Sequence, residues 1–136
     1  FATKTKTWLL VLAAAIAAIS LSVSLASPNR KLRQYLEPSL IAGAKIEEFY
    51  NDPFSTDPEY VWRLTVAKKA LALLRENGYV RCDDADSTMA VGAVRQRESG
   101  FLPDNTTEVF RKKHDSCSKY FIRSGSTRAY LFVLCF

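Results

Sequence analysis

The chain has 136 residues, 19 Lys and Arg against 14 Asp and Glu, a formal net charge of +5, one histidine and three cysteines. That length accommodates one small domain behind an apolar N-terminal stretch and is too short for two. Basic and acidic residues are interspersed along the folded part, which argues against a nucleic-acid partner, whose binders concentrate charge on one face.

Trp8 to Ala26 reads WLLVLAAAIAAISLSVSLA, an uncharged apolar run of 19 residues. A helix needs roughly 20 such residues to cross a ~30 Å hydrocarbon core. The run therefore reads as a membrane span or as a secretory signal, with Lys4 and Lys6 as basic flank and Ser24-Leu25-Ala26 as a small-residue cleavage site. The chain starts at Phe1 rather than Met, and the reading adopted is a processed chain that keeps a single transmembrane helix over 8–26 behind a basic flank over 1–7. Lys4 and Lys6 before the span are balanced by Arg30, Lys31 and Arg33 after it, so the positive-inside comparison is close to a tie. No ionisable residue lies within the run, which gives it no proton relay and no ion site. Small residues recur at helical spacing: Ala13 with Ala17, Ala14 with Ala18, Ser20 with Ser24. Such spacing admits a second helix closely, so these six residues form the expected helix-packing site.

Residues 27–57 read as a helical connector. Ser27 caps, Pro28 occupies the first helical position, and Pro38 interrupts after Glu37. Helical spacing resumes over Ser39–Tyr50, and Asn51-Asp52-Pro53 ends it. The remaining 58–136 read as a small domain. Thr56-Asp57-Pro58-Glu59 supplies a cap, a proline and an acidic first turn, and Tyr60, Leu64, Ala67, Leu71 and Leu74 step by four and three, predicting a helix over 58–77 that Asn77-Gly78 closes. From 79 onward, short runs of strand formers alternate with turn residues: Tyr79–Cys82, Met89–Val94, Glu108–Arg111, Lys119–Arg123 and Arg128–Phe136. The last is apolar at almost every step and reads as a central strand buried on both faces. The expected fold class is α+β, with one N-terminal transmembrane helix followed by two or three helices packed on an antiparallel sheet.

A three-residue loop Gly125-Ser126-Thr127 sets Ser124 opposite Arg128 and therefore Cys117 opposite Cys135, which predicts a disulfide between them. Cys82 is left as a buried thiol or an alternative partner. A bonded pair places the domain on a non-cytosolic side: periplasm, lumen, intermembrane space or cell surface. The chain has no Cys-x-x-Cys and only His114, so no metal centre and no cofactor are expected. His114 beside Asp115 lacks the nucleophile a hydrolase triad needs, and no enzyme activity is expected. Asp83-Asp84-Ala85-Asp86-Ser87 opens like a calcium loop, but counting from Asp84 puts Met89 at the glycine position and Arg95 at the closing glutamate, so a turn between strands is expected there. Asn105-Thr106-Thr107 is a glycosylation acceptor only if the chain passes through a eukaryotic secretory pathway. Arg111-Lys112-Lys113-His114 reads as a solvated loop or a contact with anionic lipid.

These features point to a non-catalytic, single-pass membrane subunit of a larger energy-transducing assembly, with other membrane-protein subunits and the lipid bilayer as partners. The chain also resembles type IV pilins in its Phe1, long N-terminal hydrophobic helix, α+β head and C-terminal pair Cys117 and Cys135. That resemblance implies a homo-oligomeric filament. It departs at the fifth position, where pilins carry an acidic residue and this chain has Thr5 between Lys4 and Lys6. A third reading, a membrane-anchored domain that captures a soluble partner, requires Trp62, Tyr79, Phe101 and Phe110 to cluster on the surface.

Overall fold

The computed structural model describes residues 2–26, 28–51 and 58–136, with side chains from 4 to 19 in the first of these segments. The cap at Ser27, the stop at Asp52-Pro53 and the Thr56-Asp57 helix start lie outside the described residues, as do the side chains of Ser20 and Ser24. The chain divides into two compact units, Phe1–Gln34 and Tyr35–Phe136.

The first unit holds α1 (Ala2–Ala26) and most of α2 (Pro28–Tyr35). Among the described residues no helix is long and apolar enough to cross a membrane. The expected single-pass span over 8–26, and with it the placement of the C-terminal domain on the far side of a membrane, is therefore corrected. The uncharged side chains described within it run from Trp8 to Ile19, directly behind Lys4 and Lys6.

The second unit is mostly sheet. Six antiparallel strands, β1 (Lys45–Asn51), β2 (Glu59–Thr65), β3 (Val80–Arg81), β4 (Glu108–His114), β5 (Cys117–Ser124) and β6 (Arg128–Cys135), lie in the order β1-β2-β6-β5-β4-β3. Three helices accompany them: α3 (Pro38–Ile41), α4 (Lys68–Ala72) and α5 (Ala85–Arg97). The expected balance of two or three helices packed on a small sheet is corrected to a six-stranded sheet with few, mostly short helices. Two segments account for most of the difference. The predicted helix over 58–77 is strand β2 followed by the single turn of α4, and the resumed helix over Ser39–Tyr50 is α3 followed by strand β1. In the opposite sense, Met89–Val94 belongs to helix α5 rather than to a strand.

β6 is interior, between β2 and β5, as its unbroken apolar pattern requires. Its residues alternate between two buried faces. Tyr130 and Phe132 join Val61, Tyr120, Ile122, Val109, Cys82 and Phe101 beneath Ala90 and Val94 of α5. Leu131 and Val133 point the other way, with Trp62, Leu64 and Phe121 from the flanking strands. Over that second face lie Tyr35, whose ring centroid is 6.1 Å from that of Trp62, and Tyr79, 6.3 Å from Phe121. The strands are thus sandwiched, which is why all but one residue of β6 from Ala129 to Cys135 is buried. Gly125 turns the last hairpin with φ +79°, a conformation a side chain strains to adopt.

Candidate functional site

The first candidate surface is α1. Every side chain described in it, from Lys4 to Ile19, is exposed on all sides of the helix. Trp8 and Leu10 are more than 70 % exposed, and Leu9, Val11, Leu12, Ile16 and Ile19 more than half. Ala13, Ala14, Ala17 and Ala18, expected at a packing face, lie on this rod and leave its backbone approachable; Ser20 and Ser24 fall beyond the described side chains. Charge is more segregated than the whole-chain pattern implies. Residues 1–34 contain Lys4, Lys6, Arg30, Lys31 and Arg33 and no acidic residue, so the entire net +5 lies there. The remaining residues balance, since 19 − 5 leaves 14 basic against 14 acidic.

In the second unit the predicted register of the last hairpin holds. Ser124 faces Arg128 and Cys117 faces Cys135, and the two cysteines form a disulfide with Cα atoms 4.0 Å apart. Cys82 is a free, buried thiol. Burial pushes its thiol pKa up, and the carboxylate of Asp84 adds to the effect.

Two ionic clusters pin the strands to the segments above them. Glu37 accepts hydrogen bonds from Lys112 Nζ at 2.6 Å, Lys119 Nζ at 3.0 Å and the Tyr79 hydroxyl at 2.9 Å. Lys119 is only 4 % exposed and also donates to the Tyr35 carbonyl at 2.7 Å. Burial alone raises the Glu37 pKa, but the hydrogen bonds from Lys112 and Lys119 and the Lys119 charge outweigh it and hold the carboxyl below its usual range. Burial, then the neighbouring Glu37 charge, raises the Tyr79 pKa. At the opposite end of the strands, Glu98 Oε1 accepts from Arg63 Nη1 and from the Tyr50 hydroxyl, both at 2.7 Å. The Glu98 contact pushes Tyr50 up to about 12. Arg63 Nε lies 2.9 Å from Glu47 Oε2, close enough for an ion pair, yet its N–H is misaligned and finds no hydrogen-bond acceptor among the described residues. Both clusters were missed from the sequence, because Glu37 and Glu98 lie 35 to 82 residues along the chain from the side chains that donate to them.

The other motifs resolve simply. Asp84 caps α5, accepting from the amides of Asp86 at 3.0 Å and Ser87 at 3.4 Å, while Asp86 pairs with Arg111. That corrects the expected turn between strands, and no group of acidic, histidine or cysteine side chains suited to a metal occurs among the described residues. His114 Nε2 sits 3.5 Å from Asp115 Oδ2 on an exposed hairpin, where Asp115 takes φ +54°. Trp62, Tyr79, Phe101 and Phe110 are each at least nine-tenths buried, so the exposed aromatic cluster that a capture surface needs is not formed by them. A cleft of about 420 Å³ lies along α5, lined by Cys82, Val91, Gly92, Arg95, Pro103 and Val109 among others. No family model, curated protein or solved structure matches this chain.

Proposed function

We propose that the chain is a non-catalytic subunit of a larger protein assembly, held in place by packing of α1 against helices of other chains. The observation that carries this reading is the exposure of large apolar side chains on every side of α1. An apolar surface of that extent is unusual on a protein that acts alone and marks a site of interaction. The alanines at positions 13, 14, 17 and 18 suit the purpose, because small side chains at a contact shorten the distance between helix axes. The second unit supplies a rigid head: a sandwiched sheet, a disulfide across its last hairpin and ionic pins at both ends. Native electrophoresis of the protein, isolated under mild conditions from cells that produce it, tests the reading. Migration as a lone 15.3 kDa species sinks it.

A second reading, a filament subunit resembling type IV pilins, draws support from the disulfide-closed C-terminal hairpin in an antiparallel sheet that follows a long apolar helix. In that arrangement α1 packs on copies of itself, and Lys4 and Lys6 then meet no acidic residue of a neighbouring α1. Electron micrographs of filaments that disappear on deletion of the gene favour this reading over the first.

A further inference from the structure

The middle of α5 carries a residue the fold does not call for. Gly92 sits in a helix interior, where glycine is disfavoured against every residue except proline. Its φ is not positive, and a Cβ built on it meets nothing within 4 Å. Neither backbone conformation nor close packing requires the absence of a side chain there. What the absence does is open the wall of the cleft. At about 420 Å³ the cleft falls within the range of small-molecule sites, roughly 300–1,000 Å³. Val91, Val109 and Pro103 give it apolar lining, and Cys82 forms part of it.

Its polar groups are mostly committed. Ser87 Oγ donates to the Asp84 carbonyl at 2.8 Å, and Asp104 Oδ1 accepts from the Thr106 amide at 2.8 Å and from the Thr106 and Thr107 hydroxyls. Asp83 pairs with Arg81 at 3.6 Å. Arg95, one helical turn beyond Gly92, has no ion-pair or hydrogen-bond partner among the described residues, whereas Arg97 pairs with Glu59 and Arg111 with Asp86. A guanidinium presents a planar fork that matches a carboxylate with two parallel hydrogen bonds.

We propose that this cleft binds a small organic carboxylate, its apolar body in the gap left by Gly92 and its carboxylate on Arg95. Asp83 and Asp104 restrict the ligand to a single negative charge, since a polyanion meets their repulsion. All of the cleft's lining residues belong to the second unit.

Benzoate serves as probe and uncharged benzamide as its control, with the full chain. Cys117 and Cys135 are bonded, so Cys82, buried but lining the cleft, is the one free thiol for iodoacetamide to alkylate at alkaline pH. Benzoate is expected to slow that alkylation about fivefold at four times its Kd, the factor 1 + [L]/Kd for a ligand that blocks the site. Benzamide leaves the rate unchanged, and Arg95→Gln removes the benzoate effect. Gly92→Leu slows alkylation without any ligand and abolishes benzoate protection. Amide chemical shifts provide a second readout and a check that each variant is folded, with saturable benzoate shifts expected at Gly92, Arg95 and Thr107. Absence of both protection and saturable shifts at tens of millimolar benzoate overturns the proposal, as does equal binding of benzamide or of benzoate by Arg95→Gln.

Discussion

Glu37 serves two lysines and a tyrosine at once, and one of those lysines is 96 % removed from solvent. Replacing it with glutamine strands the Lys119 ammonium in a buried site, and breaking a buried pair from one side costs about 3 kcal/mol. Its depressed pKa sets the pH dependence. A carboxyl whose folded pKa lies below its unfolded value contributes its full stability above the unfolded value and loses it as pH falls through the folded one. Urea midpoints of the wild type are therefore expected to fall on acidification below pH ~4.5, with Glu37→Gln both weaker at neutral pH and flatter through that window. Parallel profiles for the two proteins refute the assignment. In the sequence Glu37 reads only as the residue before a helix-breaking proline. Its partners stand 42, 75 and 82 residues further on, and no local spacing connects them.

At the scale of elements, the C-terminal hairpin was the most legible part. A three-residue loop fixes the register, and the register fixes the disulfide. Cys117→Ser with Cys135→Ser is expected to lower stability by about 3 kcal/mol in the chain-entropy model, read as a lower melting temperature. Unchanged melting shows the bond to be dispensable. Deleting Leu131–Phe136 removes an interior strand whose large side chains contribute roughly 1.5–3 kcal/mol each, so the shortened chain is expected to lose the protease resistance of the folded unit. The segment 58–77 was misread for a physical reason. In a strand buried on both faces, apolar residues fall at nearly every position, and Tyr60 and Leu64 satisfy a helical template by accident. The β-branched and aromatic character of Tyr60, Val61 and Trp62 was the better guide. For α5 the error ran the other way: Val91, Gly92 and Val94 suggested a strand, although Asp84 was in place as cap and Arg95 and Arg97 in the last turn. Because nothing crowds Gly92, Gly92→Ala is expected to raise stability by roughly 1 kcal/mol, measurable by urea denaturation. A loss of stability means that the helix backbone there is not regular.

For the molecule as a whole, the chain divides near residue 34 into two compact units, whereas the sequence reading drew its boundaries after residues 7, 26 and 57. What the remainder was made of proved less legible, because burial on both faces of a sheet erases the alternation that identifies strands. The single-pass span is not supported, since no helix among the described residues is long and apolar enough to cross a membrane. The functional account now rests on the exposed apolar side chains of α1 as a protein–protein surface. Leu12→Glu with Ile16→Glu places two carboxylates on one side of α1 and leaves every residue of the sheet unit unchanged, and in the proposed assembly they face an apolar neighbour at a cost of several kcal/mol. The decisive measurement is the mass, by light scattering after native isolation, of the complex containing the wild-type chain and of that containing this double variant. The account predicts a species far heavier than the 15.3 kDa chain for the wild type and release of the variant as a folded monomer. A wild-type chain isolated as a 15.3 kDa monomer, or a double variant still in the heavy species, contradicts it.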